Sequence, residues 1–238
     1  MTSQDPMVPK TLLGRDKDTA WMGFLILAGF FIASLVTCNL IFRKFFAWDV
    51  GGMTFEQSVG LLPYPITFLV TDMISEIYGK RKANLVVFSG LAASILTLGI
   101  VTLAGWADAT SWSPVSNAEF DHAFGQTALA VGASMAAYLL AQFIDVRIFH
   151  FWKSLTHGKH LWLRNNLSTI PSQIVDTSTV LVLLCAVGEI GWERFGALLL
   201  NGVAFKSLVA ALDTPLVYLG VGWMRRRFGL LEGQEVAL

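Results

Sequence analysis

Five acidic side chains interrupt long apolar runs in this chain: Asp72, Glu76, Asp145, Asp176 and Asp213, against only Arg147 and Lys206 as cations in the same runs. Carboxylates in such surroundings are costly unless they face a polar cavity or a partner. Left unmatched, they require a protonated carboxyl, a bound cation or a ligand rich in hydrogen-bond donors. Asp72 and Glu76 are four residues apart and so share one helical face, where two acids repel unless something cationic or donor-rich joins them. Ser168, Ser172, Asp176 and Thr179 form a second stripe at helical spacing, with Thr169, Gln173 and Thr177 beside it. Just before it, Arg164, Asn165 and Asn166 offer a rigid guanidinium fork and two amides, a chemistry suited to a planar polar ligand.

Each of these residues also has a purely structural reading. Arg164 can be an interfacial cation and the two asparagines caps of the helix that follows. Asp145 can bridge to Arg164 or Lys153, and Glu76 can neutralise Lys80. Lys206 and Asp213 lie nearly on one face, but seven residues is about 10 Å of rise, so a partner from another helix is preferred for each.

The elements that must position these groups are membrane spans. The 238 residues are 54% hydrophobic and 14% charged, with a mean hydropathy of +0.59, against about 45–50% apolar and about 25% charged in soluble domains. Residues 20–42 form an uncharged run of spanning length. A polar link leads to a second span over about 57–78, which Pro63 and Pro65 should kink or break in its first third. Lys80, Arg81 and Lys82 make a basic turn into an uncharged third span over 83–105. Trp106 and Trp112 suit the water–lipid boundary. The fourth span, 123–149, carries Ala133, Ala137 and Ala141 as a close-packing seam. A basic, aromatic loop over 150–169 precedes a fifth span to about 188, and the sixth runs over about 195–224.

These assignments predict an all-α polytopic protein of six transmembrane helices: a flexible cytoplasmic tail over 1–19, the helical domain over 20–227 and a cytoplasmic C-terminal tail over 228–238. Of the Lys and Arg residues in loops and tails, twelve fall on one side of this arrangement and three, Arg43, Lys44 and Arg194, on the other. That imbalance places both termini in the cytoplasm. With a rise of about 1.5 Å per residue, Asp72, Asp145, Asp176 and Asp213 then fall very roughly 8 to 17 Å from the cytoplasmic helix ends. Four helices offering acid at similar depth suggest a cavity rather than isolated caps.

Other function classes have little to stand on. A net charge of zero argues against nucleic acid, and there is no phosphate-binding GxxxxGK[ST] loop. The four histidines lie at or beyond helix ends, which leaves an intramembrane metal site little to use, and no cofactor is expected. Cys38 and Cys185 read as small buried hydrophobes. An enzyme using the acid pair as general acid and base lacks any nucleophile or cofactor motif to support it.

Three stretches, PYPITFLVTDMISEIYGKRKA, QFIDVRIFHFWKSLTHGKHLWLRNNLST and SQIVDT, resemble the queuosine precursor transporters, a six-helix bacterial inner-membrane family also called vitamin-uptake-like. The resemblance covers about residues 40–218. It implies uptake of a 7-deazaguanine base such as 7-cyano-7-deazaguanine or its aminomethyl form. Carried over by motif, it implicates Asp72 and Glu76, Arg164, Asn165 and Asn166, Gln173, Asp176 and Thr177, and Lys206 and Asp213 near Pro215. A carboxylate would grip the donor edge of the base, with Asp176 as first choice. Asn, Gln, Lys or Arg would read its carbonyl, and Phe68, Tyr64 or Trp162 would stack on the ring. Two readings follow: a secondary transporter with alternating access and a proton as the coupling ion it allows, or a substrate-binding membrane subunit energised by a separate ATPase. A homo-oligomer is compatible with both. Short echoes between residues 142–145 and 173–176 hint at an internal inverted repeat.

Overall fold

The computed structural model describes residues 8–42, 44–50, 53–125, 128–186, 188 and 190–237. Met1 to Met7 of the expected N-terminal tail, and Arg43 of the sparse basic side, lie outside the described residues. The protein is an all-α, multi-pass membrane protein. Its helices are α1 (Gly14–Ile41), α2 (Tyr64–Gly105), α3 (Asn117–Phe124), α4 (Ala128–Leu155), α5 (Leu161–Ala186) and α6 (Phe195–Phe228). Among the described residues, four helical stretches are long and apolar enough to cross a membrane: Gly14–Ile41, Val59–Gly105, Leu161–Ala186 and Trp192–Phe228.

Helix α1 buries Ala20, Phe24, Leu27, Phe31, Leu35 and Cys38 at spacings of three and four, the stripe a helix turns toward its neighbours. Its other faces expose Met22, Leu25, Ile26 and Phe30. A helix apolar all round belongs in lipid, where its backbone bonds are satisfied internally. The core it joins includes Phe68, Ile74, Ile77, Val86 and Val87 of α2, Tyr138, Val146 and Phe149 of α4, and Val217 and Val221 of α6. Ala137 and Ala141 of the predicted seam on α4 are fully buried. Cys38 and Cys185 are free and buried.

The second and third predicted spans are two helical segments, together α2, that meet at a break at Gly79, whose φ of 81° and ψ of 171° are non-helical. Lys80 to Lys82 open the second half instead of forming a separate turn, and Lys82 sits over the Trp21 ring, 4.3 Å from its centroid, tying that half to α1. The prolines do not kink the helix part-way. Helix α2 starts at Tyr64 with Pro65 in its first turn, where no N–H donor is needed and the fixed φ is already helical. A 3₁₀ turn, Val59–Leu61, precedes it.

The backbone at Gly79 is one that only glycine adopts readily, and a Cβ there would collide with the Glu235 carboxylate. Gly79→Ala is therefore expected to cost about 1–3 kcal/mol from backbone strain alone. The check is the thermal unfolding midpoint of purified protein, which should fall; an unchanged midpoint would contradict the geometry.

Two elements replace predicted loops. The polar link before α2 is an antiparallel hairpin, β2 (Phe45–Val50) with β3 (Met53–Ser58). The pair Gly51-Gly52 between aromatic and β-branched residues is its sequence signal. In the 106–122 segment, α3 begins with a capping box, Ser116 and Glu119 bonding to each other's backbone N–H. Those bonds from Ser116 hold the Glu119 carboxyl below its ordinary pKa. The cap is thus intact at neutral pH and is lost only as pH falls through that lowered value.

Helices α4 and α5 reach further toward each other than the predicted spans. The basic, aromatic stretch is helical except for a short link between Leu155 and Leu161, so Arg164, Asn165 and Asn166 belong to the body of α5. The asparagines therefore do not cap it. Finally, Lys10 and Thr11 (β1) pair in parallel with Val236 and Ala237 (β4), which ties the two ends of the described chain together at one end of the bundle.

Candidate functional site

A narrow cavity lies between α2, α5 and α6. Helix α2 contributes Tyr64, Pro65, Phe68, Leu69 and Asp72, and α5 contributes Asn165, Thr169 and Gln173. Helix α6 contributes Phe205, Lys206, Val209, Ala210, Asp213 and Val217. The walls are mainly apolar with a few convergent polar groups, because one stripe of each helix turns inward at a spacing of three to four residues.

Three of those polar atoms lack any hydrogen-bond donor among the described residues: Asp72 Oδ1, Asn165 Oδ1 and Gln173 Oε1 are all buried. A buried acceptor without a donor costs about 1–3 kcal/mol. Their convergence on one cavity suits a ligand that donates several hydrogen bonds. The Asp145 carboxyl on α4 neighbours that of Asp72, and Ser172 donates to Asp145 Oδ1 at 3.2 Å. None of the described ion pairs involves Asp72, Asp145 or Asp213.

Of the ten residues singled out in the sequence, Asp72, Asn165, Gln173, Lys206 and Asp213 line this cavity. Asp176 and Thr177 sit immediately behind Lys206. Its ammonium donates to Asp176 Oδ2 at 2.7 Å and to Thr177 Oγ1 at 3.1 Å. The Tyr64 hydroxyl donates to the same Asp176 oxygen at 2.6 Å, and the Lys206 ammonium lies 4.5 Å from the Tyr64 ring centroid, a favourable cation–π distance. Lys206 thus pairs with Asp176 from another helix and not with Asp213. Asn166 turns away from the cavity, donating to Thr214 Oγ1 and the Trp162 carbonyl, both at 2.9 Å. Of the proposed stacking rings, Tyr64 and Phe68 face the cavity, whereas Trp162 is exposed.

Glu76 and Arg164 form a separate centre. Arg164 Nη2 lies 2.6 Å from Glu76 Oε1, and both side chains are fully buried. The other arm of the guanidinium donates to the carbonyls of Gly158 and Lys159, each at 2.8 Å. Arg225 also bonds Glu76 Oε1, and Lys153 Nζ stands 3.7 Å from Oε2. Glu76 therefore answers three cations from α4, α5 and α6 and does not neutralise Lys80, while Asp145 pairs with neither Arg164 nor Lys153. Glu76 lies one turn beyond Asp72 on α2, and Arg164 adjoins Asn165, so this ionic cluster adjoins the cavity on the side of the chain ends.

Sequence reasoning missed Phe205 on the cavity wall and a supporting chain of polar groups on α2 and α4. Gln142 Nε2 donates to the Tyr138 hydroxyl at 2.8 Å, and Thr71 Oγ1 lies 3.4 Å from Gln142 Oε1. Tyr138 and Gln142 are one turn apart on α4, a spacing that could have revealed them.

Residues 58–220, which include every residue lining the cavity, match the family model described as "Putative vitamin uptake transporter". The chain is 29% identical over 198 residues, 83% of its length and 82% of the relative's, to the "Probable queuosine precursor transporter" of Bacillus subtilis (strain 168). It is 26% identical over 128 residues, 54% of its length and 55% of the relative's, to the "Queuosine precursor transporter" of Escherichia coli (strain K12). No solved structure matches the chain. The chain belongs to the vitamin uptake transporter family.

Proposed function

We propose that this protein imports a queuosine precursor, a 7-deazaguanine base such as 7-cyano-7-deazaguanine or its aminomethyl form, across the bacterial inner membrane. The observation that carries this reading is the convergence of three buried acceptors without donors, Asp72 Oδ1, Asn165 Oδ1 and Gln173 Oε1, on one largely apolar cavity. A deazaguanine presents ring N–H and exocyclic amino donors along one edge and a carbonyl acceptor beside them. In this reading Asp72, Gln173 and Asn165 take the donor edge, and Lys206, held by Asp176 and Thr177, approaches the carbonyl. Tyr64 and Phe68 supply aromatic faces, and Asp213 completes the polar wall. The role first expected of Asp176 passes to Asp72, because Asp176 is already engaged by Tyr64 and Lys206.

The transport mode that suits this site is alternating access, with helices that move relative to one another around a fixed central cavity. Proton coupling is supported by Asp72 and Asp145, neighbouring buried carboxyls that have no ion-pair partner among the described residues. Six spans with both termini cytoplasmic are supported by three features. The break at Gly79 divides α2 into two segments. Helix α4, with 28 residues, is long enough to cross at about 1.5 Å per residue. The β1–β4 pairing joins Lys10 and Thr11 to Val236 and Ala237, which suits an even number of crossings.

Purified protein in liposomes should take up labelled 7-cyano-7-deazaguanine without any added ATPase, and faster when a proton gradient points inward. Uptake that appears only with an added ATPase would overturn the secondary-transport reading in favour of an energised binding subunit.

A further inference from the structure

Lys10, Thr11 and the residues from Gly229 to Ala237, expected to belong to tails, are built into the bundle. Residues beyond α6 fold back over the Gly79 break in α2 and the end of α4, with Gln234 and Val236 buried. Gly158, in the link between α4 and α5, and Gly233 approach so closely that a Cβ on either would clash with the other's backbone. The segment is tied to the other chain end by the β1–β4 pairing and by Gln234 Nε2, which donates to the Val8 carbonyl at 3.1 Å. Lys10 adds two bonds from its ammonium, to the carbonyls of Phe228 and Gly229, both at 2.9 Å.

This returning segment also reaches the ionic cluster beside the cavity. Lys153 Nζ bonds Glu235 Oε1 at 3.0 Å and the Glu76 carbonyl at 2.9 Å, while the Glu235 carboxylate lies against Gly79, the break in α2. Three cations, Lys153, Arg164 and Arg225, thus share two acids, Glu76 of the helix and Glu235 of the returning segment. Removing Glu235 leaves Lys153 with the more distant Glu76 carboxylate as its one acidic partner among the described residues, beside the Glu76 carbonyl. The three helices held to Glu76 and the break held by Glu235 are the parts that would have to separate for the cavity to open on this side.

We propose that the two chain ends form a strap, pinned by Glu235 on Lys153 and on the Gly79 break, that holds the cavity shut on the side of the chain ends and releases when that side opens. The inference rests on the transport reading for its purpose, but closure can be measured without transport. The test uses full-length protein with Cys38 and Cys185 replaced by alanine and a single reporter, Ala210→Cys, on the cavity wall. A small membrane-impermeant thiosulfonate is applied from the side bearing the chain ends. Glu235→Gln, which keeps the side chain's shape, should raise the labelling rate by about tenfold or more, the shift expected from losing a charge-assisted hydrogen bond. Glu232→Gln, an exposed strap acid outside the cluster, should leave it at the parent rate.

The reciprocal arm closes the strap covalently. Thr11→Cys with Ala237→Cys places thiols on paired residues of β1 and β4, whose strand spacing of about 4.8 Å suits a disulfide. Oxidation should slow both uptake and the labelling read at position 210 by mass spectrometry, and reduction should restore both in the same sample, which excludes misfolding as the cause. Equal labelling in parent and Glu235→Gln, or unaltered labelling after cross-linking, would overturn the strap. Labelling that responds as expected in a protein that never takes up the base would leave the strap standing and remove the transport reading instead.

Discussion

Replacing Glu76 with alanine is expected to be among the most destabilising single changes available in this protein. The substitution strips the carboxylate from a site where Arg164 is fully buried and Lys153 nearly so, while Arg225 bonds the same oxygen. An ion pair taken out of water does not contribute much net stability, because desolvating the charges offsets their attraction. Deleting one member is different. It leaves uncompensated charge in the bundle, at a cost of about 3–5 kcal/mol for one buried pair. Arg164 retains its two bonds to the Gly158 and Lys159 carbonyls, which neutralise nothing. The expected result is a sharply lower thermal midpoint and little monodisperse protein on extraction, with Glu76→Gln milder. Combined with Arg164→Leu, the loss should be smaller than the sum of the two single losses. A midpoint unchanged in Glu76→Ala would show that the four charges do not meet as described.

The second large effect falls on function. Lys206→Met should reduce uptake of the base by about ten- to a hundredfold at equal amounts of membrane-inserted protein, the loss expected when hydrogen bonds to a charged group, worth about 1.5–3 kcal/mol, disappear. Lys206 links α6 to α5 through Asp176 and Thr177 and stands over the Tyr64 ring. Without it the Asp176 carboxylate keeps Tyr64 alone, and the cavity loses its cationic donor. Methionine keeps the length of the stem, so the fold should tolerate the change better than it tolerates loss of Glu76. Unchanged uptake by Lys206→Met would remove Lys206 and the Asp176 pair from the site.

Much of the architecture was legible because lipid imposes a simple rule on sequence. Uncharged runs such as 20–42 and 83–105 have few alternatives to a spanning helix. The errors fall where charge is buried by distant partners. Lys153 and Arg164 made the stretch after residue 150 read as a water-exposed loop, yet both are buried on helices because Glu76 answers them from α2. Arg164 and Glu76 are separated by 88 positions in the chain, a pairing no local pattern encodes. The same holds within the site. Polar residues at helical spacing identified α5 as a cavity wall, but spacing does not separate Gln173, which faces the cavity, from Asp176, which Lys206 and Tyr64 engage. The hairpin and the capped helix α3 had local signals, Gly51-Gly52 and Ser116 with Glu119, that a search for spans alone passes over.

In the proposed site the three acceptors of the cavity bind the donor edge of a deazaguanine. Equilibrium binding of labelled 7-cyano-7-deazaguanine to purified protein tests it most directly, comparing wild type with Asp72→Asn and Gln173→Leu. The account predicts saturable binding to wild type and a loss of affinity of about tenfold or more in each variant. Binding that is equally tight in both variants, or no binding to a folded wild-type protein, would contradict it.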